Sequence, residues 1–173
     1  MQQCGKHGLV YSYPVGNFYI EEENSQITMI HFLGKQRADC GQEQRFYKEL
    51  MKEKVREDGG SSILREAARQ LGEYLEGRRQ TFELPLNPQG TSFQKKVWQA
   101  LRDIPYGETR TYGQIAKEVG SPKGARAVGM ACHNNPIIIV TPCHRVVGAN
   151  GALTGFACGL EMKEFLLKLE YVL

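Results

Sequence analysis

Over residues 9–33 apolar and polar positions alternate in three short runs, Leu9-Val10-Tyr11, Asn17-Phe18-Tyr19-Ile20 and Gln26-Ile27-Thr28-Met29-Ile30-His31-Phe32. Pro14-Val15-Gly16 and Glu22-Glu23-Asn24-Ser25 separate them. Runs of this length, rich in β-branched and aromatic residues and broken by turn formers, predict an antiparallel meander. Residues 34–60 are polar and charge-rich, with a helix expected across 46–55 and a break at Asp58-Gly59-Gly60. The period then changes. Ser61 or Ser62 caps a helix that puts Leu64, Ala67, Ala68, Leu71, Tyr74 and Leu75 on one face, and Gly77 ends it.

Two prolines and a glycine in Leu84-Pro85-Leu86-Asn87-Pro88-Gln89-Gly90 disfavour any continuous element, so a boundary is expected there, giving domains 1–86 and 87–173. Thr91 or Ser92 opens the next helix, with Phe93, Val97, Trp98 and Leu101 at helical spacing, and Pro105-Tyr106-Gly107 stops it. Trp98 reads as a core residue. A short capped helix from Thr111, a turn at Gly120-Ser121-Pro122 and a second helix through His133 form a helix-turn-helix. That second helix carries Gly124, Ala125, Ala127, Gly129 and Ala131 around Arg126. Glycines weaken a helix, so their presence implies close approach, either of another helix or of something flat or narrow outside. Arg126 favours nucleic acid.

Asn134-Asn135-Pro136 ends the helix, and Ile137-Ile138-Ile139-Val140 is too apolar for a surface loop. It delivers Pro142-Cys143-His144-Arg145-Val146. On an extended strand Cys143 and His144 would face opposite ways, so they cooperate only if the backbone turns, and Pro142 makes a break plausible. Val146-Val147, Gly148-Ala149-Asn150-Gly151 and Ala152-Leu153 predict a hairpin or tight loop. After a loop over Gly155-Phe156-Ala157-Cys158-Gly159 the chain ends in an amphipathic helix, with Met162, Phe165, Leu166 and Leu169 on one side and Glu170 near its end.

Composition changes the picture little: 41% hydrophobic and 24% charged residues are values of a globular protein. Charge distribution adds more. Residues 1–86 hold 12 Lys/Arg against 13 Asp/Glu, whereas residues 87–173 hold 10 against 6, which suits an anionic partner for the second half. Five cysteines without a C-x-x-C pair argue against a disulfide framework and for a reducing compartment. Cys4, His7, His31 and Cys40 match no compact zinc spacing, and His31 reads as a structural or surface residue. No apolar segment approaches the roughly 18 residues of a membrane span, and the N-terminus has no signal-peptide core, so the expected location is cytoplasmic, or nuclear in a eukaryote.

A buried cysteine beside a histidine is by itself an ordinary core feature. In this context it reads as a nucleophile in the floor of a pocket. Asn135-Pro136, Pro142-Cys143-His144-Arg145-Val146 and Gly155-Phe156, preceded by Thr111-Tyr112 and Arg126-Ala127-Val128-Gly129, resemble the O6-alkylguanine-DNA alkyltransferases, from about Phe93 to Glu170. Residues 1–86 match that family only in general layout.

The resemblance implies an α/β (α+β) architecture: a small ribonuclease-H-like sheet-and-helix domain, then a mostly helical, winged-helix-like domain carrying the helix-turn-helix. It implies repair by stoichiometric, single-turnover transfer of an alkyl group from O6-alkylguanine, and from O4-alkylthymine, to Cys143, without cofactor or metal. His144 would take the thiol proton through a water, Glu170 would hold the imidazole, Asn135 would brace the turn, and Tyr112 would donate towards guanine N3. Main-chain groups of Cys143, Val146 and Ala157 would read the base, with Cys132 and Cys158 expected at the alkyl pocket. The partner would be double-stranded DNA bound through the minor groove with the base flipped out, Arg126 entering the stack and Ala125, Ala127, Gly129 and Lys123 lying along the duplex. A monomer is expected, with no membrane role. Cys132 and the pair Ala157-Cys158 depart from common family choices and leave substrate range open. Relatives that bind alkylated DNA without repairing it lack the cysteine. A DNA-binding regulator would leave Cys143, His144 and Glu170 without purpose, and a cysteine hydrolase would not explain Arg126 and its small neighbours.

Overall fold

The computed structural model describes residues 5–34 and 60–173. The helix expected over 46–55, and Cys4 and Cys40, lie outside them. The chain divides into two compact units, Met1–Pro88 and Gln89–Leu173.

In the first unit β1 (His7–Tyr13), β2 (Gly16–Glu23) and β3 (Gln26–Gly34) form an antiparallel sheet in sequence order. Asn24 and Ser25 both take positive φ, the geometry of a two-residue primed turn whose twist matches the strands. Phe18, Ile20, Ile27 and Ile30 are fully buried. α1 (Ser62–Leu75), capped by Ser61, contributes Leu64, Ala67, Leu71 and Tyr74 to the same core, while Ala68 is only half-buried. Tyr13 ties sheet to helix by donating its hydroxyl to the Ala68 carbonyl at 2.8 Å. Leu86 bridges to Ile27, with Ile27 N–H donating to Pro85 O and Asn87 N–H to Ile27 O, both at 2.8 Å, so the first unit runs two residues past the expected 86/87 boundary.

The second unit begins with α2 (Ser92–Arg102), whose N-terminus is closed by a reciprocal capping box between Thr91 and Gln94. Thr111 and Gln114 repeat the device on α3 (Tyr112–Glu118). Gly120 at φ +78° turns the chain into α4 (Ala125–His133), completing the helix-turn-helix. Trp98 is buried at the centre and donates its indole N–H to Ala131 O at 2.8 Å, pinning α2 to α4. Val97, Leu101, Ile104, Ile115 and Val128 surround it, and Cys132, Cys143 and Val146 belong to the same cluster.

The run Ile137-Ile138-Ile139-Val140 is a buried turn, with Thr141 N–H donating to Ile137 O at 3.0 Å. Of the hairpin or tight loop expected after it, the chain forms the tight loop, closed by Gly148 N–H donating to Ala152 O at 2.9 Å, while β5 (Val146–Val147) pairs in parallel with β4 (Arg110–Thr111). A parallel partner from 36 residues upstream leaves no local periodicity to read. The unit ends in α5 (Leu160–Leu169), with Glu170 at its C-cap. Among the described residues no helix is long and apolar enough to cross a membrane.

Candidate active site

The turn that presents the cysteine is built by one side chain. Asn135 Oδ1 accepts from Ile137 N–H at 3.0 Å, and Asn135 Nδ2 donates to Thr141 O at 2.8 Å and lies 3.2 Å from Cys143 Sγ. Because Oδ1 is committed to a backbone donor, the amide can only turn its N–H groups towards Thr141 and the sulfur. Within the turn Ile139 sits at φ +70°, a left-handed conformation that a β-branched residue adopts at a cost of roughly 1–3 kcal/mol. Asn135 grips the segment from both ends and offsets that cost.

Pro142 then leads into a single 3-10 turn, Cys143–Arg145, closed by Arg145 N–H donating to Pro142 O at 3.0 Å. Three residues per turn send successive side chains about 120° apart. The backbone break expected from Pro142 is therefore a 3-10 turn, and it aims Cys143 at Asn135 while His144 and Arg145 both reach Glu170. His144 Nε2 lies 2.8 Å from Glu170 Oε1, and both side chains are fully buried. Arg145 donates from Nε to Glu170 Oε2 at 2.9 Å, from Nη2 to Oε1 at 3.0 Å and from Nη1 to Ile104 O at 2.6 Å. Gly107 N–H adds a donor to Oε2 at 3.2 Å, and the guanidinium stands 5.8 Å over the Tyr106 ring.

Electrostatics set the resting protonation. Burial pushes the Cys143 thiol above its ordinary value, opposed by the Asn135 amide, the Lys163 charge and the backbone N–H groups of Cys143 and His144. Burial also holds the His144 imidazole below its ordinary value, against the pull of Glu170. Both groups therefore rest neutral. A carboxylate only accepts, so the neutral ring carries its proton on Nε2, donated to Glu170, and Nδ1 is the basic nitrogen.

Cys143 opens onto a cavity of about 410 Å³, a volume suited to a base-sized ligand. Its walls include Tyr112, Cys132, Thr154, Phe156 and Ala157. Tyr112 donates its hydroxyl to Thr154 O at 3.3 Å, and burial raises its pKa, so it stays a donor. Of the five residues expected at the pocket, Tyr112, Cys132 and Ala157 line the cavity and Cys158 does not; Val146, expected there through its main chain, has its side chain fully buried in the core, and the loop wall is made by Gly155, Phe156 and Ala157. On α4, Arg126 and Ala127 are exposed, as is Lys123 just before the helix, with Ala125 and Gly129 half-buried. A Cβ added at Gly129 would meet nothing closer than the Tyr112 ring at 3.9 Å, so packing inside the unit does not demand glycine there.

Two residues of the site had no role in the sequence reading. Arg145 was visible only as part of the motif, because its partner is 25 residues away. Lys163 is 0% exposed and donates from Nζ to Val146 O at 2.6 Å and Thr154 O at 2.9 Å, joining the cysteine turn to the loop wall. A lysine three and four residues before Leu166 and Leu167, on the buried face of α5, was the available signal. His7 and His31 sit on β1 and β3, and no group of three or more metal-type side chains is gathered among the described residues.

Residues 8–88 match the model of the 6-O-methylguanine DNA methyltransferase ribonuclease-like domain, and residues 92–172 that of the DNA binding domain of the same proteins. The chain is 46% identical over 160 residues to the constitutive methylated-DNA–protein-cysteine methyltransferase of Bacillus subtilis, covering 92% of each chain. It is 56% identical over 127 residues to the methylated-DNA–protein-cysteine methyltransferase of Methanosarcina mazei, covering 72% of this chain and 80% of that one. Among solved structures, Mycobacterium tuberculosis OGT in complex with DNA superposes with a TM-score of 0.79 at 38% identity, covering 95% of this chain and 92% of that one.

Proposed function

The chain belongs to the methylated-DNA–protein-cysteine methyltransferases, DNA-binding enzymes of DNA repair, and from that premise we propose that Cys143 is the sulfur that accepts the alkyl group. The observation that carries the assignment is one constellation: a thiol 3.2 Å from the Asn135 amide, next to the buried His144–Glu170 pair, at the floor of a cavity walled by Tyr112 of the helix-turn-helix.

As the guanine enters, the Cys143 proton passes to His144 Nδ1 through a bridging water, and Glu170, fixed by Arg145 and Gly107, steadies the imidazolium that forms. The sulfur attacks the alkyl carbon in line. The S–C bond forms, the C–O6 bond breaks, and its electron pair stays on guanine, where the Tyr112 hydroxyl donates towards N3. Main-chain groups of Cys143, Val146 and Ala157 read O6 and the exocyclic amine, and O4-alkylthymine presents the same type of oxygen. Lys163 holds the Val146 carbonyl in place. Ala157 and Cys132, both in the cavity wall, bound the space for the alkyl group. The expected partner is a duplex met from the minor groove by one protein monomer, in the cytoplasm, or the nucleus in a eukaryote.

Incubation with duplex DNA carrying labelled O6-methylguanine tests the assignment, with label expected on the peptide that contains Cys143. Label remaining on DNA would indicate a regulator, and label released to solvent a hydrolase. The product is a thioether, a poor leaving group that a neighbouring thiol cannot exchange as it would a disulfide. Product formation should therefore stop at one equivalent per chain; a steady state several-fold beyond that would contradict single turnover.

Arg126 is the side chain proposed to replace the flipped nucleotide. Unstacking costs a few kcal/mol, which only the duplex substrate incurs. Arg126→Ala should slow transfer from duplex DNA far more than transfer from free O6-methylguanine, and wild-type affinity for duplex should fall as salt is raised, because counterions displaced by binding gain less on release into concentrated salt. Equal losses on duplex and free base would remove the finger assignment.

A further inference from the structure

The exposed face of α4 holds a large apolar side chain that the proposed reaction leaves without work. Met130 is 60% exposed. Three other large apolar side chains are exposed among the described residues, Leu160, Tyr171 and Leu173, and all lie in or after α5. Met130 instead lies in the helix that carries Arg126, four residues further on, and such pairs stand about 5–6 Å apart on one helix face. It also lines the mouth of the cavity that ends at Cys143. Its neighbours keep a low profile: Ala127 is exposed and small, and Gly129 leaves the rim open, with 3.9 Å between its hypothetical Cβ and the Tyr112 ring. A flexible apolar side chain thus projects from the helix between the exposed Arg126 and His133, with small residues at 127 and 129 beside it, at the rim of a base-sized pocket.

We propose that Met130 is a positioning residue for the flipped nucleotide, an apolar wedge that works beside Arg126. The inference rests on the reading above in which α4 faces the minor groove. Arg126 fills the place of the extruded base, and Met130 packs on the sugar and the unstacked base edge at the cavity mouth, opposing return of the nucleotide to the stack. Apolar wedges, methionine among them, commonly hold minor-groove DNA in unstacked form. The unbranched thioether suits the task because it adapts to an irregular surface and tolerates either a methylated or a larger lesion. Its present exposure is the expected state of a side chain that is covered only when DNA is bound.

The experiment uses the full chain and two readouts. A duplex with a fluorescent adenine analogue next to O6-methylguanine reports unstacking without needing chemistry, and single-turnover rates are measured on that duplex and on free O6-methylguanine. Met130→Ala should lower the unstacked fraction and slow duplex transfer about tenfold, or about 1.4 kcal/mol, with a loss on free base several-fold smaller. Met130→Leu should restore both readouts, whereas Met130→Gln, of similar length but polar, should not. A Gln variant equal to wild type, or equal losses on duplex and free base, would overturn the wedge. Unstacking by wild type without any alkyl transfer would instead overturn the assignment of Cys143, while the Met130 comparison would still be read from the fluorescence.

Discussion

Cys143→Ala abolishes alkyl transfer while leaving duplex affinity within about twofold of wild type: this is the largest effect expected of any single substitution in the chain. The reaction has one bond-forming atom, so removing it leaves no partial route, whereas loss of a proton relay leaves a slower one. The contacts proposed for DNA lie at Lys123, Arg126 and Ala127, exposed in and before α4, and Cys143 is buried in the floor of the cavity. Cys132→Ala and Cys158→Ala are the matched controls. Cys132 shares the cavity and His133 follows it in the chain, but burial raises its thiol pKa too, with Cys143 adding to the rise, and His133 is exposed where His144 is buried against Glu170. Cys158 is outside the lining. Mass spectrometry of the labelled peptide decides the matter: an alkylated peptide from Cys143→Ala, lost on adding Cys132→Ala, would mean that the other thiol is the acceptor.

Much of this site could be read from sequence because its parts are local. Thr111 and Gln114 announce a helix start by themselves, and the spacing of Phe93, Val97, Trp98 and Leu101 announces a buried face. Asn135, Cys143 and His144 lie within ten residues of one another, so a single turn gathers them. What stayed hidden depends on distant pairing. The parallel partnership of Val146–Val147 with Arg110–Thr111 cannot be inferred from either dipeptide. Ile137 to Val140 reads only as a buried apolar run, and its bending by Asn135, at the expense of a positive φ at Ile139, has no local pattern to announce it. The resemblance puts Ala157 and Cys158 together at the pocket, and of the two Ala157 lines the cavity, in an irregular loop that has no periodicity to say which residue faces inwards. Lys163 hid among apolar neighbours because its ammonium is satisfied by two backbone carbonyls, which have no sequence signature.

Glu170→Ala should cost both stability and rate, and the two losses separate by design. The carboxylate is 1% exposed and takes bonds from His144, Arg145 and Gly107. Removing it strands the Arg145 charge in the core, an event that typically costs about 3–5 kcal/mol. Against a total of roughly 5–15 kcal/mol for a folded domain, that is a large fraction. The double variant Glu170→Leu with Arg145→Met removes both charges and should recover most of the stability in denaturant titration. It should not recover transfer. Without the carboxylate nothing selects the tautomer with Nδ1 basic or steadies the imidazolium, and general-base assistance of this kind contributes about 10²–10⁴ in rate. A double variant that regained wild-type transfer would show that Glu170 acts only through folding. Stability of the wild type carries a related pH signature. Because the folded-state pKa of His144 is lowered, the unfolded chain takes up a proton below about pH 6.5 that the folded chain refuses, so stability present above that pH is lost as pH falls. In Glu170→Ala the carboxylate no longer opposes the burial of His144, its folded pKa drops further, and the loss continues to lower pH; an unchanged pH profile would mean that the pair is not coupled.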